Sequence, residues 1–317
     1  MPLQDNQGEV TPGALPAVSR LHGTLSRGGF AVTADLAPPR GADPTPLLRS
    51  LPALEGRVDA LNLTENQGAR VRACGLAACA LVLRHSSLEP VMQVVCRGRN
   101  RLALQSELLG AALLGVRNLL VLRGDPPVLG DHPEALDLLD LDVPDLLRAA
   151  RGMCEEGRLV SGAGLDSKPS FFLGAVIDTD PRREEEELPR ARLKMEAGAR
   201  FFQTQPVFDA ETFSRWMEEA RPYLEGACLL AGVLVAGDAR AVRRLEGRLP
   251  GIRPASGLAE RLEKAGDPAG EGARAAAETV AALREIPGVR GVHLMAAGRR
   301  EMLGRVLELA FPPPGGD

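Results

Sequence analysis

Aromatic side chains are scarce in this sequence: 3% of the 317 residues, with one Trp, one Tyr and eight Phe. A planar ligand would therefore find few rings to stack on. Cysteine is sparse and scattered. Cys74, Cys79, Cys96, Cys154 and Cys228 form no CxxC pair and no Cys/His cluster, so a structural metal site is not expected, and reduced, mostly buried thiols are. No apolar run reaches the length of a membrane span. The opening stretch MPLQDNQGEVTPGALP lacks the positive-then-apolar layout of a secretion signal, which leads to the expectation of a cytoplasmic protein. With a net charge of −4 there is no basic face for nucleic acid. Arginine far outnumbers lysine, but it alternates with glutamate along the helical stretches and reads as solvated surface.

What is present is a repeating alternation of short apolar runs and longer amphipathic segments. The most informative run is Asn118–Pro127, NLLVLRGDPP. Leu119–Leu122 has the continuous hydrophobicity of a strand buried on both faces, as in a parallel sheet. It stops at Arg123-Gly124-Asp125, and Pro126-Pro127 forbid helix or ladder pairing beyond. A charged pair on a glycine turn at a strand's C-terminal end is where α/β enzymes keep their chemistry.

Similar strands are predicted at 30–35, 58–64, 91–96, 172–178, 200–205, 228–235 and 289–295. Helices are predicted over 44–54, 69–85, 100–114, the stretch up to 156, 184–198, 210–223, 238–248, 257–285 and 299–310. Parallel strands need crossover helices, and eight such units close most simply into a single (β/α)8 TIM barrel. An open doubly wound sheet is the alternative, but no GxGxxG follows the first strand. The expected organisation is an N-terminal arm over 1–29, a catalytic barrel over 30–311 and a flexible tail over 312–317.

In a barrel the strand C-terminal ends share one rim. Read in order they supply Asp35, then Thr64-Glu65-Asn66, Gln93 and Cys96, Arg123-Gly124-Asp125, Asp178 and Asp180, Gln203 and Gln205, and His293 with Met295. There is no metal-ligand spacing and no Ser/His/Asp arrangement. Asp35 and Asp125, on different strands, are placed to face one cavity. Carboxylates sharing such a site push their pKa values apart, leaving one protonated as an acid while Arg123 keeps the other ionised. Either aspartate could instead simply cap a following helix. A Schiff-base aldolase using Lys194 or Lys168 is a rival chemistry, weakened because neither lysine lies at a strand end.

The segments VTADLAPPR (32–40), LRGDPP (122–127), KMEAGARFFQTQPVFD (194–209) and GVHLMA (291–296) resemble methylenetetrahydrofolate reductase, in that family's order from about residue 29 to 310. The segment CRGRNRLALQSELLGAALLGVRN (96–118) is similar to the short bacterial, acetogen-like branch. The resemblance implies a TIM barrel with a flavin, FAD or alternatively FMN, over the strand ends. It implies reduction of 5,10-methylenetetrahydrofolate to 5-methyltetrahydrofolate with NAD(P)H as hydride source, and a homo-oligomer, with a partner subunit as a further option. By resemblance, Asp35 falls on the family's acid and Asp125 on the anion beside the folate cation. Gln205 falls on the amide that binds the pterin. Thr64, Gln93, Arg123, Gly124, Asp125, Asp180 and Lys194 fall on flavin-holding positions. The chain also departs from the family pattern. Asp35 replaces a glutamate, a shortening of roughly 1 Å that can cost about a hundredfold in rate. Gly98 replaces Asp, and Gln93, Val176 and Asp180 replace His, Tyr and His. Leu245 stands where some members carry an aromatic. A catalytically altered paralogue that binds folate or flavin within a larger complex is the alternative reading.

Overall fold

A computed structural model describes residues 17–246, 257–296 and 300–312, with side chains omitted at 244–246. Most of the expected arm, most of the expected tail and the side chain of Leu245 lie outside the described residues.

The eight strands are β1 (Ala31–Leu36), β2 (Ala60–Leu63), β3 (Pro90–Val95), β4 (Asn118–Leu122), β5 (Phe172–Ile177), β6 (Phe201–Pro206), β7 (Cys228–Val235) and β8 (Val289–Ala296). They form one closed barrel in sequence order. Every pair is parallel, and β8 closes on β1 through Thr33 opposite His293. The predicted fold class is the observed one. The described α-helices are α1 (Arg20–Ser26), α2 (Thr45–Leu48), α3 (Gly75–His85), α4 (Arg101–Leu113), α5 (Val143–Glu155), α6 (Glu184–Ala197), α7 (Ala210–Ala220), α8 (Ala239–Glu246), α9 (Leu258–Lys264), α10 (Pro268–Arg284) and α11 (Met302–Ala310). None of them is long and apolar enough to cross a membrane.

Local sequence explains most boundaries. Asn100, Asp142, Asp209 and Asp267 cap α4, α5, α7 and α10, each side chain accepting a backbone N–H of the first turn. Four glutamates open α6, where the helix dipole favours negative charge, and Gly198 at φ 130° ends it. The stretch expected to be helical over 257–285 divides into α9 and α10, with Asp267 capping the second, and two predicted helices come out much shorter. The segment expected to be helical to residue 54 is α-helical only over Thr45–Leu48, because Leu51 precedes Pro52 and is biased away from the helical region. Leu51 and Leu54 are buried there all the same. The helix expected from residue 69 begins at Gly75, since Asn66, Gly68 and Ala69 all have positive φ and shape a loop instead.

Alternate residues of each strand face the lumen, and the lumen fills in layers. Leu21 and Leu25 of α1 close the lower mouth against Ala31, Ala60, Val91, Phe172, Phe201 and Leu230. The region expected to be an arm therefore contains a helix that plugs the barrel. His22, Phe172 and Phe201 stack in a column with centroids 4.5 and 4.9 Å apart. Gly174 leaves the space the Phe201 ring occupies, since a Cβ there would overlap it. Outside the strands, the other face packs on the helices in one continuous apolar core, from Val32 and Leu36 round to Val292 and Leu307.

Candidate active site

Above the plug, the middle layer of the lumen is polar. Asn62, Thr33, Gln203 and His293 are all buried. Gln203 accepts from Asn62 Nδ2 at 2.7 Å, and its own Nε2 donates to Asn62 Oδ1 (3.2 Å) and Thr33 Oγ1 (3.3 Å). Thr33 Oγ1 lies 3.0 Å from His293 Nδ1. Burial pushes His293 down to about 3, so the imidazole is neutral and the layer carries no charge. Gln203 and His293, which the sequence places on the rim, thus lie beneath it. Thr33 and Asn62, which sequence reading passed over, complete the network. The only signal for them was the alternation of β1 and β2, which sets both on the lumen side.

Asp35 stands one lumen position above Thr33. It is 8% exposed, and Oδ1 accepts from the Ala296 N–H at 3.0 Å. Burial raises its carboxyl to about 6, opposed by that hydrogen bond and by the charge of Arg300. The displacement is one of desolvation. The like-charge coupling to Asp125 expected from the sequence is not among its causes.

Asp125 itself is exposed on the loop after β4, and its Oδ2 accepts from Gly68 N at 2.7 Å. Farther along the same loop, Asp131 accepts from Val71 N at 3.1 Å and pairs with Arg40 at 3.2 Å. The β4–α5 loop is therefore strapped over the β2–α3 loop. Arg123, expected to hold Asp125 ionised, is exposed and makes no ion pair among the described residues. Gly124 sits at φ +89°, and an added Cβ would overlap Val95 Cγ1. Its carbonyl accepts from Arg97 Nε at 3.2 Å. Gly124→Ala is expected to lower stability by about 1–3 kcal/mol, through left-handed strain plus overlap. A urea midpoint equal to the parent's would contradict this.

Thr64, 1% exposed at the end of β2, has a buried hydroxyl with no hydrogen-bond partner. Gln93 and Gln205 are half-buried on lumen-facing positions of β3 and β6. Neighbouring Glu65 anchors the loop after β2: it accepts from Gly75 N at 2.5 Å and pairs with Arg99 at 2.8 Å, and Arg99 pairs with Glu107 at 2.7 Å.

Two expected cofactor residues are engaged elsewhere. Asp180 accepts from Arg182 Nη2 at 2.6 Å and caps the turn after β5, and Arg182 holds its carboxyl below the usual range. Lys194 donates to the Val176 carbonyl at 2.9 Å from α6, and burial lowers its ammonium. Lys168 donates to the Glu155 carbonyl at 2.6 Å. The aldolase reading thus has no lysine free for it. Cys96 packs in the outer core, with its thiol pushed up to about 12, and is not a rim residue. Among the described residues, no cluster of His, Cys, Asp and Glu is arranged to hold a metal ion.

The family model for methylenetetrahydrofolate reductase matches residues 20–310. The chain belongs to that family. Methylenetetrahydrofolate reductase 2 of Schizosaccharomyces pombe is 25% identical over 186 residues, covering 57% of this chain and 28% of that protein. The match thus spans little more than a quarter of the yeast protein's length. Among solved structures, an uncharacterized protein from Clostridium thermocellum that binds two copies of 5-methyl-5,6,7,8-tetrahydrofolic acid superposes with a TM-score of 0.64. The superposition covers 92% of this chain and 97% of that one, at 14% identity. At that identity the likeness establishes the shared barrel fold.

Proposed function

We propose that this chain reduces 5,10-methylenetetrahydrofolate to 5-methyltetrahydrofolate, with NAD(P)H as the hydride source and FAD, or FMN, bound over the barrel mouth. The observation that carries the reading is the buried Asp35 carboxyl, raised by desolvation into the range of a working acid. Family membership supports it, as does the folate bound by the Clostridium thermocellum barrel.

The chemistry requires the five-membered methylene bridge to open. A proton goes to the departing nitrogen, the carbon–nitrogen bond breaks, and an iminium cation forms on the other nitrogen. Asp35 donates that proton. Its Ala296 hydrogen bond fixes the carboxyl while burial keeps water away. Asp125 supplies the negative charge that favours the cation, and Gln205 has the donor and acceptor needed to orient the pterin. The orphaned Thr64 hydroxyl fits a flavin edge, with Gln93, Arg123 and Gly124 alongside. A flavin held by these residues would supply hydride transfer between NAD(P)H and the folate. For Lys194 to hold the flavin's phosphates, the contact with the Val176 carbonyl must be exchanged. Asp180, an anion paired with Arg182, suits an N–H or hydroxyl donor of the cofactor and not a phosphate. The protein is further proposed to act in the cytoplasm, to form a homo-oligomer, and to take a reduced folate as its small-molecule partner.

The second reading, a folate- or flavin-binding subunit, is favoured by the shortness of Asp35 alone. The two half-reactions separate the readings. With flavin added to the purified chain, NAD(P)H should bleach the flavin, and methylenetetrahydrofolate should then restore its colour anaerobically. Failure to bind flavin together with absence of folate turnover would overturn the reductase. A near-inactive parent rescued by Asp35→Glu would support the altered subunit.

A further inference from the structure

The lip beside Asp35 carries two arginines that the proposed reaction does not use. Arg72, on the β2–α3 loop, donates from Nη1 to the Pro38 carbonyl at 3.0 Å. Arg300, just before α11, donates from Nη2 to the Ala37 carbonyl at 2.8 Å. Successive carbonyls of the β1–α2 loop thus gather two half-buried cations from opposite flanks of β1. Burial, and secondarily the charge of Arg72, lower the Arg300 guanidinium, while Asp35 and Glu301 act the other way. Among the described residues neither arginine forms an ion pair. Arg300 Nη1 is enclosed and has no hydrogen-bond partner.

Holding two like charges together, one with an unpaired buried N–H, costs free energy in the empty protein. An anion between the two guanidiniums offsets their repulsion. Arginine is also the side chain whose planar fork matches carboxylate and phosphate oxygens. We propose that Arg72 and Arg300 form an oxyanion subsite on the lip beside Asp35, taking a carboxylate or phosphate group of a ligand that lies over the barrel mouth. An anion there offsets the charge of Arg300. Asp35 then feels less of the cation that favours its ionised form, and keeps its proton to higher pH. Anchoring the ligand and readying the acid become one event. Arg300 acts on Asp35 as a positioning and tuning residue, through charge alone.

The inference does not depend on the reductase reading, because its test uses inorganic phosphate and reads no turnover. The full chain is titrated calorimetrically with phosphate at constant ionic strength. Saturable binding is expected, weakened by about tenfold or more in Arg72→Gln and in Arg300→Gln, the loss expected for one charge-assisted hydrogen bond. It should be unchanged in Arg148→Gln, an exposed α5 arginine paired with Asp145. Melting curves check that each variant folds, and Arg72→Gln alone carries the test should Arg300→Gln not fold. Absence of saturable binding to the parent, or equal affinity in parent and both glutamine variants, overturns the subsite. Competition separates the sources. Displacement of phosphate by a short γ-glutamyl peptide assigns a carboxylate, displacement by a nucleoside diphosphate assigns a phosphate, and displacement by neither overturns the ligand assignment.

Discussion

Asp35→Asn is expected to remove folate reduction, by about 10²–10⁴-fold, while leaving hydride transfer from NAD(P)H to bound flavin near the parent rate. Asparagine keeps an acceptor for the Ala296 N–H, so the loop position survives while the transferable proton is lost. The same substitution should stabilise the fold at neutral pH. The folded carboxyl titrates at about 6 and the unfolded one at 3.8. Below the lower value both states are protonated. Between the two, the folded state holds a proton that the unfolded state has released, so stability falls as pH rises, and it levels off above the upper value. Two pKa units correspond to roughly 3 kcal/mol. Asparagine has no such dependence, so the gap between variant and parent should open from pH 4 to 6. Folate reduction in the parent should decline as pH rises through about 6, as the acid ionises. A variant that loses both half-reactions equally, or a parent with a flat stability profile from pH 4 to 7, contradicts this assignment.

The second large effect concerns the layer below. Gln203→Leu is expected to destabilise the barrel by roughly 3 kcal/mol or more, because it strips Asn62 of both amide partners and Thr33 of a donor. All of these groups are out of reach of water. Asn62→Leu/Gln203→Leu should cost clearly less than the sum of the single variants, since the second change removes the groups the first had orphaned. Chemical denaturation of the parent, both single variants and the double variant completes the cycle. Simple additivity would mean that the two amides do not depend on each other. A measurable loss of folate reduction in the single variants is also expected, because the floor under Asp35 is part of what fixes its depth.

How much of this was legible beforehand differs from element to element. The continuous hydrophobicity of 119–122 and its counterparts announced strands buried on both faces, and the barrel followed from their number and spacing. The helix starts near 100 and 210 were readable, whereas the start of α5 after Asp142 was not, and the break before α10 at Asp267 was missed. Helix length was less readable: Leu51-Pro52 and the positive φ angles at Asn66 and Ala69 shortened two helices that composition alone would have extended. Asp35 and Asp125 were both visible as acids at strand ends. That one lies buried against β8 and the other exposed on a strap to Gly68 was not, because depth depends on loops that meet only in three dimensions.

The amino-acid sequence determined the eight parallel strand–helix units and the family, because these follow from local periodicity and ordered motifs. Only the tertiary structure decided the chemistry of the individual groups. The neutral Thr33–Asn62–Gln203–His293 layer, the burial of Asp35 against Ala296, the contact of Lys194 with the Val176 carbonyl, and the convergence of Arg72 and Arg300 on the carbonyls of Pro38 and Ala37 each join residues well separated in the chain. Solvation and electrostatic fields depend on distance in space, and no reading along the chain contains that distance.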